Sequence, residues 1–156
     1  MTLRVVRHAK AGSRSAWAQD DDLRPLTPAG ERQAVALADR LAGGERVRIM
    51  SSRFVRCTQT VAPLAERLGV EVEEHPALAE ETDLDDTEAL LERLAGTDAV
   101  LCTHGNVVSA LLDRLRWRGA EIVGHAVGGG GKGSAWVLEP GPDGGWARAT
   151  YEPPPA

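Results

Sequence analysis

The chain has 156 residues, a net charge of −5 and 26% charged residues. This length predicts one domain that buries roughly two thirds of its unfolded surface, and the composition excludes a disordered or fibrous protein. No apolar run approaches the roughly 20 residues that span a bilayer, and the negative charge excludes a broadly basic nucleic-acid binder. We therefore expect neither membrane nor nucleic-acid partners.

The two cysteines, Cys57 and Cys102, are too few for a disulfide framework, and no metal-ligand spacing accompanies them. The N-terminal segment has too short an apolar stretch for a signal peptide. These features predict a cytoplasmic protein with reduced thiols and without a metal or cofactor. We expect it to be a monomer or a weak dimer.

Short β-rich runs alternate with amphipathic helical stretches along the chain. Leu3–Val6 predicts a strand, and residues 10–26 predict a long loop. Thr27 and Pro28 are typical of a helix start, and Gly43–Gly44 of its end. The later predicted elements are a strand over Val47–Met50, a helix that is kinked or broken at Pro63 and ends at Gly69, an edge strand over Val70–Val72, a helix around Leu90–Leu94, a strand over Ala99–Thr103, a helix over Val108–Leu115, and strands over Ser134–Leu138 and Trp146–Tyr151.

This alternation of strands and helices predicts an α/β fold. We expect a three-layer α/β/α sandwich with a mainly parallel sheet and one antiparallel edge strand. The domain should extend over residues 1–152, and residues 153–156 should form a disordered tail. Gly128–Gly133, which contains Lys132, lacks the spacing of a phosphate-binding P-loop and is interpreted as a flexible turn.

Basic and histidine side chains follow three of the predicted strands. Arg7 and His8 follow the first strand, Arg56 comes soon after the second, and His104 and Gly105 follow the most apolar one. Because the carboxyl ends of parallel strands meet at one edge of a sheet, we expect these residues to converge. The helix that begins at His104–Gly105 would add backbone N–H donors. The pattern predicts an anion pocket with two imidazoles, which suits phosphoryl transfer through a histidine nucleophile.

Three segments carry a resemblance to a known family. Arg7–Ala9, Ser51–Thr60 and Thr103–Asn106 resemble the three motifs of the histidine phosphatase superfamily, which includes the phosphoglycerate mutases. The resemblance covers nearly the whole chain and is nearest to the short branch of SixA-type phosphohistidine phosphatases. Residues 7–27 also resemble the phosphatase domains fused to some Nudix nucleotide hydrolases. The resemblance implies a phosphoglycerate mutase-like fold without a large insertion over the site.

The resemblance also implies roles for individual residues. His8 matches the nucleophile, Arg7 and Arg56 match the arginines that clamp the phosphate, and His104 matches the histidine that stabilises the transferred group. Ala9 departs from the family, which usually has glycine there.

The family's proton donor lies in a Leu-x-Glu segment, which Leu78–Glu80 matches. We therefore expect Glu80 to be the proton donor, with Glu81 and Asp83 as alternatives. The residues expected to bind phosphate or substrate are Lys10, Ser13, Arg14, Gly105 and Asn106.

These features predict a metal-independent phosphatase that forms a phosphohistidine on His8. The favoured substrate is protein phosphohistidine, and a nucleotide polyphosphate is the alternative. The expected partner is accordingly a phosphorylated protein or a small phosphorylated metabolite or nucleotide. A non-catalytic module that binds phosphorylated ligands is the alternative from another functional class.

Overall fold

The computed structural model describes residues 2–43 and 47–155. In chain order the helices and strands are β1 (Leu3–Arg7), α1 (Pro28–Leu41), β2 (Arg48–Ser51), α2 (Val55–Leu68), β3 (Val72–Glu74), α3 (Leu84–Leu94), β4 (Ala99–Thr103), α4 (Gly105–Trp117), β5 (Glu121–Val123), β6 (Ala135–Pro140) and β7 (Trp146–Glu152). Short 3₁₀ turns lie at Asp21–Leu23, Pro76–Leu78 and Val127–Gly129. None of the described helices is long and apolar enough to span a membrane.

The strands in this part of the chain form one sheet in the order β3-β2-β4-β1-β6-β7-β5. Strands β3, β2, β4 and β1 run parallel, β6 runs against both of its neighbours, and β5 pairs in parallel with β7. The mainly parallel sheet is confirmed. The antiparallel strand lies inside the sheet and not at its edge, because β7 and β5 extend the sheet beyond it.

Helices cover both faces of the sheet and form the predicted three layers. Helices α3 and α4 pack on one face through a cluster that includes Leu91, Leu101 and Leu111. Helices α1 and α2 pack on the other face through a cluster that includes Leu37 and Leu64. Strand β4 is buried along its whole length, as its apolar sequence predicts for a strand covered on both faces.

The ends of the first two helices follow local sequence signals. The Thr27 hydroxyl accepts a hydrogen bond from the Gly30 amide and caps α1, as predicted. Helix α1 ends at Leu41, and Gly44 lies outside the described residues. Of the two alternatives predicted at Pro63, the break is wrong, because α2 continues to Leu68, and the kink stays a prediction. The buried face of α2 holds the helix against the sheet on both sides of the proline.

Strand boundaries near the sheet edges differ from the predicted ones. The predicted edge strand is at the edge, but it extends over Val72–Glu74. Strand β5 was not predicted, because its three residues are too few to show a periodic pattern. The Pro153 carbonyl accepts a hydrogen bond from Arg40, while Ala156 lies outside the described residues. The disordered tail therefore stays a prediction.

Candidate active site

The carboxyl ends of the neighbouring parallel strands β1, β4 and β2 meet at one edge of the sheet. His8 directly follows β1, and His104 directly follows β4 and precedes α4. The His8 amide donates to the Thr103 carbonyl over 3.0 Å, which ties the two strand ends together. The His8 and His104 rings consequently lie edge to face with their centroids 5.5 Å apart.

The His8 ring is buried and has a defined tautomer. Its Nδ1 lies 2.8 Å from the Ala9 carbonyl oxygen, and a carbonyl can only accept, so Nδ1 carries the proton. Burial lowers the pKa of His8 to about 3, and the nearby His104, Arg56 and Arg7 lower it as well, against the opposing effect of the Ala9 hydrogen bond. At neutral pH the imidazole is therefore uncharged, with a free lone pair on Nε2.

The His104 ring is buried between polar and aromatic neighbours. Its Nε2 lies 2.9 Å from the Ser52 hydroxyl and 3.5 Å from the Cys57 sulfur. The Phe54 ring packs edge-on against it, with centroids 4.7 Å apart. The buried His104 Nδ1 has no hydrogen-bond partner among the described residues.

Arg7 is held against the start of α4 by a close approach to Gly105. A Cβ at Gly105 would lie 2.8 Å from the Arg7 guanidinium carbon, so a larger residue here would displace the guanidinium. The Arg7 Nη1 donates to the Gly130 carbonyl over 2.6 Å. Its buried Nε has no acceptor among the described residues.

Arg56 is 1% exposed and lies between two carboxylates. Its Nη2 donates to both Asp21 and Glu80 over 3.0 Å, and its Nη1 donates to the Asp21 carbonyl. The other Glu80 oxygen accepts from Arg14 Nη2 over 3.0 Å. Two arginines thus hold Glu80 at the wall of the pocket that contains His8.

The two alternative proton donors lie elsewhere. Glu81 pairs with Arg53 over 2.5 Å, and the Asp83 carboxylate accepts from the Asp85 amide at the start of α3. Neither residue lines the pocket that contains His8. Of the three predicted candidates, the geometry favours Glu80.

The pocket at this sheet edge has a volume of about 620 Å³. Ser13, Arg14, Gly105 and Asn106 line it, and their role in substrate binding stays a prediction. The Asn106 amide donates to the Glu80 carbonyl over 2.9 Å and supports the proposed acid. Lys10 is exposed and does not line the pocket.

Two cations in the pocket wall were missed by the sequence reasoning. Arg24 is 7% exposed and is bonded to Asp21 and to the Gly12 carbonyl. Lys132 also lines the pocket, within the segment interpreted as a flexible turn. Lys132 was not predicted to bind phosphate, because its segment lacks the spacing of a P-loop. The turn residue Gly129 packs against Ser109 of α4, which places the segment beside the site.

Comparison with known proteins assigns the family. The model of the histidine phosphatase superfamily (branch 1) matches residues 3–89. The 8-oxo-(d)GTP phosphatase of Mycolicibacterium smegmatis is 38% identical over 159 residues, covering 99% of this chain and 48% of that protein. The present chain therefore spans about half the length of this curated relative.

Two solved structures share the fold. The protein histidine phosphatase SixA, complexed with tungstate, matches with a TM-score of 0.74 at 24% identity, over 97% of this chain and 94% of SixA. The mycobacterial glucosyl-3-phosphoglycerate phosphatase, in complex with VO3, matches with a TM-score of 0.70 at 18% identity, over 97% and 96% of the two chains. At this level of identity the two matches establish the fold.

The family match covers more than half of the chain, and the alignment with the mycobacterial relative covers nearly all of it. The predicted fold is confirmed by the solved neighbours. The predicted enzyme class, a phosphatase, is supported by the family and by the names of the relatives. The chain belongs to the histidine phosphatase superfamily.

Proposed function

We propose that this chain hydrolyses a phosphomonoester or phosphoramidate through a phosphohistidine on His8, without a metal. The observation that carries the proposal is the state of His8. Its Nδ1–H is bonded to the Ala9 carbonyl, so the lone pair on Nε2 is free in a ring whose pKa is lowered to about 3. Such an imidazole is a competent nucleophile at neutral pH.

In the first step, the Nε2 lone pair of His8 forms a bond to phosphorus. The bond between phosphorus and the leaving atom breaks, and the leaving atom takes the electron pair and a proton from Glu80. Arg7, Arg56 and His104 stabilise the equatorial oxygens of the transferred group. A phosphoryl group at Arg56 would compete with Glu80 for the guanidinium, which frees the carboxyl group to carry that proton.

In the second step, water attacks phosphorus while Glu80 accepts a proton from it. The bond between phosphorus and Nε2 breaks, its electron pair returns to His8, and inorganic phosphate leaves. The positive charge required throughout comes from arginine side chains and the N-terminus of α4.

For the substrate, protein phosphohistidine stays our prediction from the sequence. Its support is the likeness in fold to SixA and a pocket over which residues 2–43 and 47–155 place no large insertion. A nucleoside polyphosphate is the second candidate. It is favoured by the cationic side chains that line the pocket beyond His8 and by the similarity to a protein named 8-oxo-(d)GTP phosphatase.

Rapid-quench labelling tests the reaction. The chain would be mixed with a ³²P-labelled phosphohistidine protein and, separately, with γ-³²P-labelled nucleoside triphosphate. We expect a burst of acid-labile, base-stable label on the wild type and none on His8→Ala. His125→Ala is the matched control, because His125 is exposed and lies outside the pocket. Ligand binding without any label would instead support a non-catalytic binding module.

A further inference from the structure

The backbone at Lys132 is held in place by hydrogen bonds beside His8. The amide of the next residue, Gly133, lies 3.0 Å from the Arg7 carbonyl and 3.1 Å from the His8 carbonyl, and donates to both. The Lys132 carbonyl accepts from the Gln33 side chain over 3.2 Å. The backbone that carries the lysine is thus tied directly to the strand end that carries the nucleophile.

The Lys132 side chain faces other cations. Partial burial lowers its pKa, and the positive charges of Arg7, Arg24 and Lys10 lower it further. Within residues 2–43 and 47–155, no carboxylate lies within 4 Å of its ammonium group. Glu80, which does line the same pocket, is bonded to Arg14 and Arg56.

The charges around the pocket do not balance. The groups lining it or bonded to its lining include five cations and two carboxylates, which leaves three positive charges. They are Arg7, Arg14, Arg24, Arg56 and Lys132 against Asp21 and Glu80. A phosphate monoester carries roughly 1.5 to 2 negative charges at neutral pH. The pocket therefore has more positive charge than one phosphoryl group neutralises.

We propose that Lys132 binds a second anionic group of the substrate, next to the phosphoryl group that His8 attacks. This inference rests on the proposed function, and it favours substrates with a second anionic group near the phosphoryl group, such as its second candidate, over protein phosphohistidine. A nucleoside diphosphate supplies the second group as a phosphate, and a phosphorylated hydroxy acid supplies it as a carboxylate. A cleft lined by cations attracts a substrate with this additional negative charge more strongly than a simple monoester.

The test compares Lys132→Gln with the wild type on three substrates. ADP and 3-phosphoglycerate each carry a second anionic group, whereas p-nitrophenyl phosphate does not. We expect KM to rise about tenfold for ADP, for 3-phosphoglycerate, or for both, and less than about twofold for p-nitrophenyl phosphate. The substrate whose KM rises shows whether the second anionic group is a phosphate or a carboxylate. Lys132→Arg keeps the positive charge, so it should keep most of the preference for substrates with a second anionic group.

Arg116→Gln is the charge-matched control, since Arg116 is exposed at the far end of α4. Equal losses on all three substrates, or no loss on any, would overturn the inference. Equilibrium titration of a His8→Gln background with ADP and with inorganic phosphate gives a readout without turnover. The same titration with 3-phosphoglycerate covers the carboxylate case. Lys132→Gln should weaken the binding of whichever compound shows the raised KM and leave the binding of inorganic phosphate unchanged. Failure of the proposed function would appear separately, as absence of turnover and label in the wild type.

Discussion

The floor and the rim of the pocket are built in different ways. The floor comprises His8, Arg56 and His104, which are 8%, 1% and 2% exposed. The rim comprises Arg14 and Lys132, which are exposed. Packing, hydrogen bonds and the buried ion pairs of Arg56 fix the floor. The ion pairs of Arg14 at the rim are screened by solvent and contribute little to stability. We therefore expect changes in the floor to affect the chemical step and stability together, and changes in the rim to affect substrate selection without unfolding the domain.

The largest difference is expected between variants of Arg56 and Arg14, the two arginines that bind the Glu80 carboxylate. Arg56→Ala should lower kcat/KM for p-nitrophenyl phosphate on the order of 10³-fold, because it removes a buried donor from the phosphoryl site. Arg14→Ala removes an exposed partner of Glu80 and should cost less than about fivefold.

Urea denaturation of both arginine variants provides the control for folding. Arg56→Ala should lower the free energy of unfolding by about 1–3 kcal/mol, since Asp21 and Glu80 lose a buried partner but keep contact with solvent. Similar kinetic losses in the two variants would remove the distinction between floor and rim.

The next prediction concerns the contact between the helix start and Arg7. In Gly105→Ala, the new Cβ would collide with the guanidinium, which must move away from its position over the site. We expect kcat to fall about 100-fold, as a displacement of about 1 Å at a catalytic group can cause. Gly43→Ala is the matched control, since its Cβ would meet nothing within 4 Å. Unchanged kcat in Gly105→Ala would show that Arg7 does not need its observed position.

A third prediction uses the pH dependence of stability. The folded-state pKa of His8, about 3, lies below its ordinary value of 6.5, so the unfolded chain binds a proton that the folded chain does not. Stability should therefore fall as pH falls through this window, by up to about 1.4 kcal/mol per pH unit from this group. His8→Gln should show a shallower decline in urea denaturation between pH 6.5 and pH 4. Parallel curves for the two proteins would contradict a neutral buried His8.

The smallest expected effect concerns the hydroxyl that orients His104. Ser52→Ala removes the oxygen 2.9 Å from Nε2 and should lower kcat about fivefold with little change in KM. NMR of the His104 ring nitrogens should show a changed tautomer population, which a purely structural role would not produce. Ser51→Ala is the control, because Ser51 is equally buried but bonds to the Ser52 carbonyl. The same NMR spectrum in wild type and Ser52→Ala would exclude this positioning role.

Much of the fold follows from patterns within short stretches of sequence. The apolar run at Ala99–Thr103 indicates a buried strand, and the Thr27–Pro28 pair indicates a helix start, since each depends on neighbouring residues. The order of the sheet depends on contacts between distant segments. Strand β5 was missed because its three residues show no periodic pattern. The interior position of β6 was missed because no local pattern indicates which strands a segment pairs with.

For the site, local sequence was enough to predict the strand-end histidines and arginines, which stand in three segments that resemble one family. The family model's match, over residues 3–89, includes the first two of these segments. Three features became visible only in the folded chain. They are the hydrogen bond between His8 and Ala9, the position of Glu80 but not Glu81 or Asp83 in the pocket wall, and the presence of Lys132 there. The physical reason is that a proton's location and a net pocket charge are set by neighbours remote in sequence, through burial, hydrogen bonds and Coulomb interactions.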